Sequence, residues 1–155
     1  MDKKKFMREA IRISGENVRN GGGPFGAVIV KNGEIIARGA NYVVRNCDPT
    51  AHAEVCAIRA ACQALGTFNL TGCEIYSSCE PCPMCLSAIY WARLDRLYFA
   101  GTRCDAAEAG FDDALIYTEI SRPVMERRLP TSTMLRGESL EVFRKWAEKT
   151  DKTEY

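Results

Sequence analysis

The sequence holds a single histidine and two tryptophans, and neither sign of charge is in excess: 21 basic against 20 acidic side chains leave a net charge of +1. Without a basic surplus there is no electrostatic case for gripping a phosphate backbone or an anionic lipid surface. Nucleic acid and membrane are therefore not expected as partners, and a small neutral substrate fits better. No apolar run approaches the roughly 20 residues of a membrane span. The opening Met1-Asp2-Lys3-Lys4-Lys5 leads into an amphipathic segment instead of a signal-peptide core, so a cytoplasmic location is expected. Repeats, low-complexity tracts and linkers are also missing. At 155 residues the chain reads as one domain, 1–155, long enough to bury a real core, with the 46% hydrophobic and 26% charged content of a soluble globular protein.

What the sequence does have is cysteine, eight in all, and in a reducing compartment these read as metal ligands and thiols. Thr50-Ala51-His52-Ala53-Glu54 is followed about thirty residues on by Cys79-Glu80-Pro81-Cys82-Pro83-Met84-Cys85. The imidazole of His52 and the thiolates of Cys82 and Cys85 form a three-ligand set for one Zn²⁺ per chain, leaving a fourth position for water. Glu54 is then placed to move protons between that water and a substrate. His-x-Glu followed by Pro-Cys-x-x-Cys is the pattern of zinc nucleobase deaminases.

The spacing has physical content. Two residues of a helix lie about 200° apart, so His52 and Glu54 cannot share a side face and should approach the ion from a helix start. Thr50, after the Asp48-Pro49 turn, is the expected N-cap. Cys82 and Cys85 do share a face, with Pro83 suited to a first turn. Two helix N-termini would then favour thiolate over thiol. Thiol redox chemistry would use the same Cys-x-x-Cys pairs but leaves His52 and Glu54 unexplained. A closed structural zinc site, with Cys79 as fourth ligand, would leave Glu54 idle. Cys56, Cys62 and Cys73 read as small core residues; Cys47 and Cys104 have no assigned role.

Along the chain, helical spacing of Phe6, Met7, Ala10, Ile11, Ser14 and Val18 predicts an amphipathic helix ended by Asn20-Gly21-Gly22-Gly23. Residues 25–30 form an apolar strand, and Asn32-Gly33 turns the chain into an antiparallel strand over 35–43 with Asn41 near its end. Val55, Ile58, Cys62 and Leu65 stripe a helix that closes at Gly66 and is buried against the sheet. Strand 74–78, helix 84–91 and strand 96–100 continue the alternation that gives parallel pairing with right-handed crossovers. A helix over 106–117 with a break at Gly110 follows, and Leu140, Phe143 and Ala147 mark a last one. The sheet should be mixed, with the cysteine motif at the carboxyl end of a strand, where ligands collect.

These motifs resemble the cytidine deaminase superfamily of zinc enzymes and, within it, the bacterial guanine deaminases. The closer resemblance rests on residues 22–30, 48–55, 76–81, 88–93 and 105–113, and on the terminal Glu154-Tyr155. It implies a three-layer α/β/α fold with a mixed five-stranded sheet and helices on both faces. The implied activity is hydrolysis of guanine to xanthine and ammonia in purine catabolism or salvage, with Glu54 relaying protons. By the same resemblance Asn41 meets the purine edge, Phe25 and Trp91 border its ring, and Ala53 and Asp113 contact the substrate, Asp113 also assisting proton transfer. Tyr155 would cross to a partner chain in a domain-swapped homodimer. Residues 122–137 match little. A deaminase of guanosine, adenine, cytosine or an aminotriazine would need the same zinc site, because similar heterocycles are poorly separated by an apolar pocket. A tRNA adenosine deaminase would want a basic surface, and a non-enzymatic zinc module would not need Glu54.

Overall fold

In the computed structural model, which describes residues 2–155, Phe6, Ala10, Ile13 and Asn17 form the buried stripe of α1 (Lys4–Arg19). Asn32 and Gly33 take positive φ of 52° and 81°, as a two-residue hairpin turn requires, and join β1 (Gly26–Lys31) to β2 (Glu34–Ala40). The second strand stops at Ala40, short of the expected residue 43. Asn41 Oδ1 accepts from Val43 N at 3.3 Å, an Asx turn that leads the chain out of the sheet into α2 (Val43–Asn46).

β1 is central. It pairs antiparallel with β2 and with β3 (Cys73–Cys79), and β3 pairs parallel with β4 (Arg96–Gly101) across α4 (Pro83–Trp91). The order β2-β1-β3-β4 gives a mixed sheet of four strands, not the five that the resemblance implied. After Gly101 the Thr102 side chain accepts from Asp105 N while the Asp105 carboxylate accepts from Thr102 N. This capping box commits the next residues to α5 (Arg103–Glu108), and β4 is left as an edge strand.

Alternation along β1 sorts the core into two layers. Ala27 and Ile29 join Ile75, Leu70 and the alanines of α3 (Ala53–Leu65), with Ile89 of α4; Val28 and Val30 join Phe6 and Ile13 of α1 and Tyr76. The face that α3 buries is Ala53, Glu54, Ala57 and Ala61, while Val55, Ile58, Cys62 and Leu65, the expected stripe, are only half-buried. Close approach is the reason. A Cβ on Gly39 of β2 would stand 2.1 Å from Ala53 O, and one on Gly26 of β1 would stand 2.4 Å from Ala10 O of α1. Both helices are pressed against sheet glycines, α1 where Ala10 lies and α3 where Ala53 and Ala57 lie, and at these contacts only a small side chain fits.

A second compact unit begins at Ala114 and runs to Tyr155, the first ending at Asp113. It contains α6 (Ala114–Ser121), a 3₁₀ turn at Val124–Glu126 and α7 (Arg136–Glu148). The break expected at Gly110 is present, at φ +94°, and lies between α5, which starts earlier than expected and ends at Glu108, and α6, which begins at Ala114. Among the described residues no helix is long and apolar enough to cross a membrane.

Candidate active site

Two helices begin at one place. His52 is the N-cap of α3 and Cys82 the N-cap of α4, both in extended backbone, and neither spends its side chain on a capping hydrogen bond. Positions usually given to Ser, Thr, Asp or Asn are here given to metal-binding groups. Thr50, the expected cap, lies two residues early and donates its hydroxyl to Asp48 Oδ1 at 2.6 Å. Pro83 occupies the first turn of α4 and brings Cys85 round to the face of Cys82.

The Sγ atoms of Cys82 and Cys85 lie 3.5 and 3.4 Å from His52 Nδ1, and the three ligand atoms all fall within 4.8 Å of one another. Tetrahedral zinc, with bonds of ~2.3 Å to sulfur and ~2.1 Å to nitrogen, sets its ligand atoms roughly 3.5 Å apart, so the donor set and its dimensions fit that ion. Cys79 is not part of the cluster. Its thiol points to Thr102 O at 3.6 Å and is pushed up to about 11, by burial first and by the Glu54 charge after it. A closed four-ligand site is therefore not assembled by Cys79. The hydrogen bond from Cys85, with that from His52, pulls Cys82 down, and Cys85 is pushed up by the same bond and by burial. His52 is raised in turn by its contact with Cys82.

Glu54 is the second residue of α3, in its first turn, and is 5% exposed. Burial pushes its carboxyl above the ordinary value, while Ser77 Oγ donates to Oε1 at 3.0 Å and steadies the ionised form. Ser77, on β3 and also buried, did not stand out in the sequence. The available signal was a hydroxyl at an inward position of a strand that runs into the cysteine motif.

The other expected residues divide. Ala53, fully buried, opens α3 beside His52. The half-buried Phe25 ring meets Phe111 edge-on at 4.9 Å and 87°, and Phe111 is a second residue that sequence reasoning left without a role. Asn41 is half-buried beyond the end of β2. The Asp113 carboxyl is raised by burial first and feels the negative charge of Cys82, which puts it within electrostatic reach of the cluster. Trp91 closes α4 at the end opposite Cys82, roughly 13 Å along the axis, and is 66% exposed. Tyr155 ends the second unit.

A buried carboxylate beside a His/Cys/Cys donor set, raised on two helix N-termini at the carboxyl end of a strand, defines the zinc-dependent hydrolytic deaminases. The chain belongs to the family described as the cytidine and deoxycytidylate deaminase zinc-binding region, which matches residues 1–101. It is 52% identical to a guanine deaminase of Bacillus subtilis (strain 168) over 100% of both chains. The solved structure of guanine deaminase from Bacillus subtilis superposes with a TM-score of 0.97 over 100% of this chain and 99% of that one. A guanine deaminase structure from Nitrosomonas europaea is 29% identical with a TM-score of 0.70, covering 95% of this chain and 85% of that chain. A tRNA-specific adenosine deaminase of Aquifex aeolicus (strain VF5) is 44% identical over 64% of this chain and 66% of its own.

Proposed function

We propose that this protein is a zinc-dependent aminohydrolase that converts guanine to xanthine and ammonia. The observation that carries the reading is the 52% identity to a guanine deaminase across the full length of both chains, joined to a His52–Cys82–Cys85 cluster with a buried carboxylate beside it. His52, Cys82 and Cys85 hold the metal, which when bound supplies a Lewis acid that lets water act as a nucleophile near neutral pH. Glu54 accepts a proton from the attacking water and passes it to the ring nitrogen next to carbon 2. With the water oxygen now bonded to carbon 2, the same carboxylate takes the remaining proton from that hydroxyl and gives it to the amine, so that the C–N bond breaks, the carbonyl forms and neutral ammonia leaves. Its burial keeps the carboxyl readily protonated, and the Ser77 hydroxyl holds it in place for both transfers.

In the same reading Asn41 hydrogen-bonds the purine edge, the Ala53 backbone and the Phe25 ring border the base, and Asp113 meets its N–H or amino group and assists proton transfer; Trp91, exposed at the far end of α4, is left out of the pocket. The partner subunit's Tyr155 completes the pocket in a domain-swapped homodimer. What supports the exchange is that residues 114–155 form a compact unit of their own, and that α6 and α7 bury none of their side chains, Phe143 and Ile120 included. A cytoplasmic setting accords with eight cysteines none of which is in a disulfide.

Ammonia release from guanine, guanosine, adenine, cytosine and an aminotriazine tests the reading, with purified zinc-loaded protein and Glu54→Ala as control. Guanine is expected to turn over fastest, and the control to lose about 10²–10⁴-fold in rate while retaining one zinc per chain. Faster turnover of another member of the panel would reassign the substrate within the same chemistry. Zinc at one per chain with no turnover of any of them would overturn the deaminase reading.

A further inference from the structure

Asn17 is a polar side chain on the inward stripe of α1, 8% exposed, with no place in the chemistry described above. Its Nδ2 donates to Gly23 O at 2.8 Å and to Asn41 O at 2.9 Å. Both partners are carbonyl oxygens, so the orientation of the amide is fixed by them. The two carbonyls belong to separate segments, and each segment carries a group proposed to touch the base. Gly23 O also accepts from Phe25 N at 2.9 Å, and Asn41 N donates to Phe25 O at 3.3 Å. One amide thereby closes a loop of hydrogen bonds through Gly23, Phe25 and Asn41.

The clamp is also fitted sterically. A Cβ on Gly22 would fall 2.4 Å from Asn17 Nδ2, and one on Gly23 would fall 3.3 Å from Asn41 Cγ and 3.5 Å from the Phe25 ring. Gly22 N donates to Asn17 O at 2.8 Å, which holds the glycine loop on the amide from above. We infer that Asn17 is a positioning residue, whose side-chain amide sets the Asn41 and Phe25 segments at the spacing that purine binding needs. The inference rests on the guanine reading, because it assigns Asn17 to the substrate pocket and leaves the metal cluster to other residues.

Asn17→Asp tests it by replacing the donor with oxygen at nearly constant shape. An ionised Asp there would face two carbonyl oxygens and push them apart; a protonated one regains a single O–H donor. The charged groups around this position are Arg12 and Glu16 of α1, Arg38 of β2 and Arg45 of α2, which line the cleft next to Asn17. Misplacement of about 1 Å costs up to ~10²-fold in a pre-organised site, so the expected result is kcat/KM for guanine lowered about 10–100-fold at pH 8, mostly through KM, with one zinc per chain retained. The ratio of variant to wild-type kcat/KM should then rise as the pH is lowered toward 6. Gly22→Ala, which presses a methyl group onto the same amide, should raise KM at unchanged zinc content and serves should Asn17→Asp not fold. A ratio that stays flat with pH, or a KM for guanine within threefold of wild type in Gly22→Ala, overturns the inference. Wild-type protein that is zinc-loaded and inert to guanine would instead overturn the reading beneath it.

Discussion

At the scale of single residues, the site is a set of side chains diverted from their ordinary structural work. His52 and Cys82 occupy N-cap positions without capping, and Glu54 is a carboxylate kept from water. Ser77→Ala would remove a donor that the ionised Glu54 uses. A lost hydrogen bond to a charged group costs about 1.5–3 kcal/mol, so kcat/KM for guanine is expected to fall roughly tenfold or more with zinc content unchanged. Steady-state kinetics beside metal analysis would show it, and an unaltered rate would remove Ser77 from the proton relay. The ligands and Glu54 were legible in the sequence because metal chemistry demands particular residue types at particular spacings. Ser77 and Asn17 were not: a lone hydroxyl or amide looks the same in a sequence whether it faces solvent or a buried partner. Thr50 misled for the opposite reason, since it has the composition of a cap, but the cap position is filled by the ligand His52 itself.

At the scale of elements, position is set by how closely helices lie on the sheet. Gly39→Ala would drive a methyl group into the α3 backbone at Ala53 and Ala57. Overpacking of this kind costs about 1–3 kcal/mol, and because Ala53 follows His52 the variant is expected to show both a lower Tm and weaker zinc retention. A wild-type Tm would mean that α3 yields without cost. On the other face, Glu9 of α1 accepts from Arg12 at 2.8 Å and from Arg38 of β2 at 2.7 Å. These two, Arg12 first, hold its carboxyl at about 2, below its ordinary value of 4.5. The stabilisation is therefore complete above pH 4.5 and is lost as the pH falls toward 2. Solvent screening limits it to about 1 kcal/mol. Denaturant titrations should find Glu9→Gln less stable by that amount at pH 7 and the gap narrowed at pH 3; an equal gap at both would refute the assignment. Most elements were legible from periodicity and turn chemistry, Asn32-Gly33 and Gly66 above all. The buried face of α3 was not, because large apolar residues advertise a stripe while the contact is made by alanines, whose suitability depends on a glycine in another element. The fifth strand was carried over by resemblance and yields to the capping box of Thr102 and Asp105.

At the scale of the whole molecule, the family match ends at residue 101, and the second compact unit begins at Ala114. If the partner subunit's Tyr155 completes each pocket, inactive Glu54→Ala and Tyr155→Ala chains should complement one another after mixing and exchange. Random pairing makes about half of the dimers mixed, each with one intact site of two, so roughly a quarter of wild-type turnover should return. Failure to regain activity in a demonstrated mixed dimer would confine each pocket to its own chain. Gly26 and Gly39 meet helices on opposite faces of the sheet, and Ala53 and Ala57 lie against the second of these contacts. In a saturation screen scored by survival, these small, chemically silent positions should be as barren as the metal ligands themselves. The map of forbidden substitutions would then outline the thickness of the layers as sharply as it outlines the reaction.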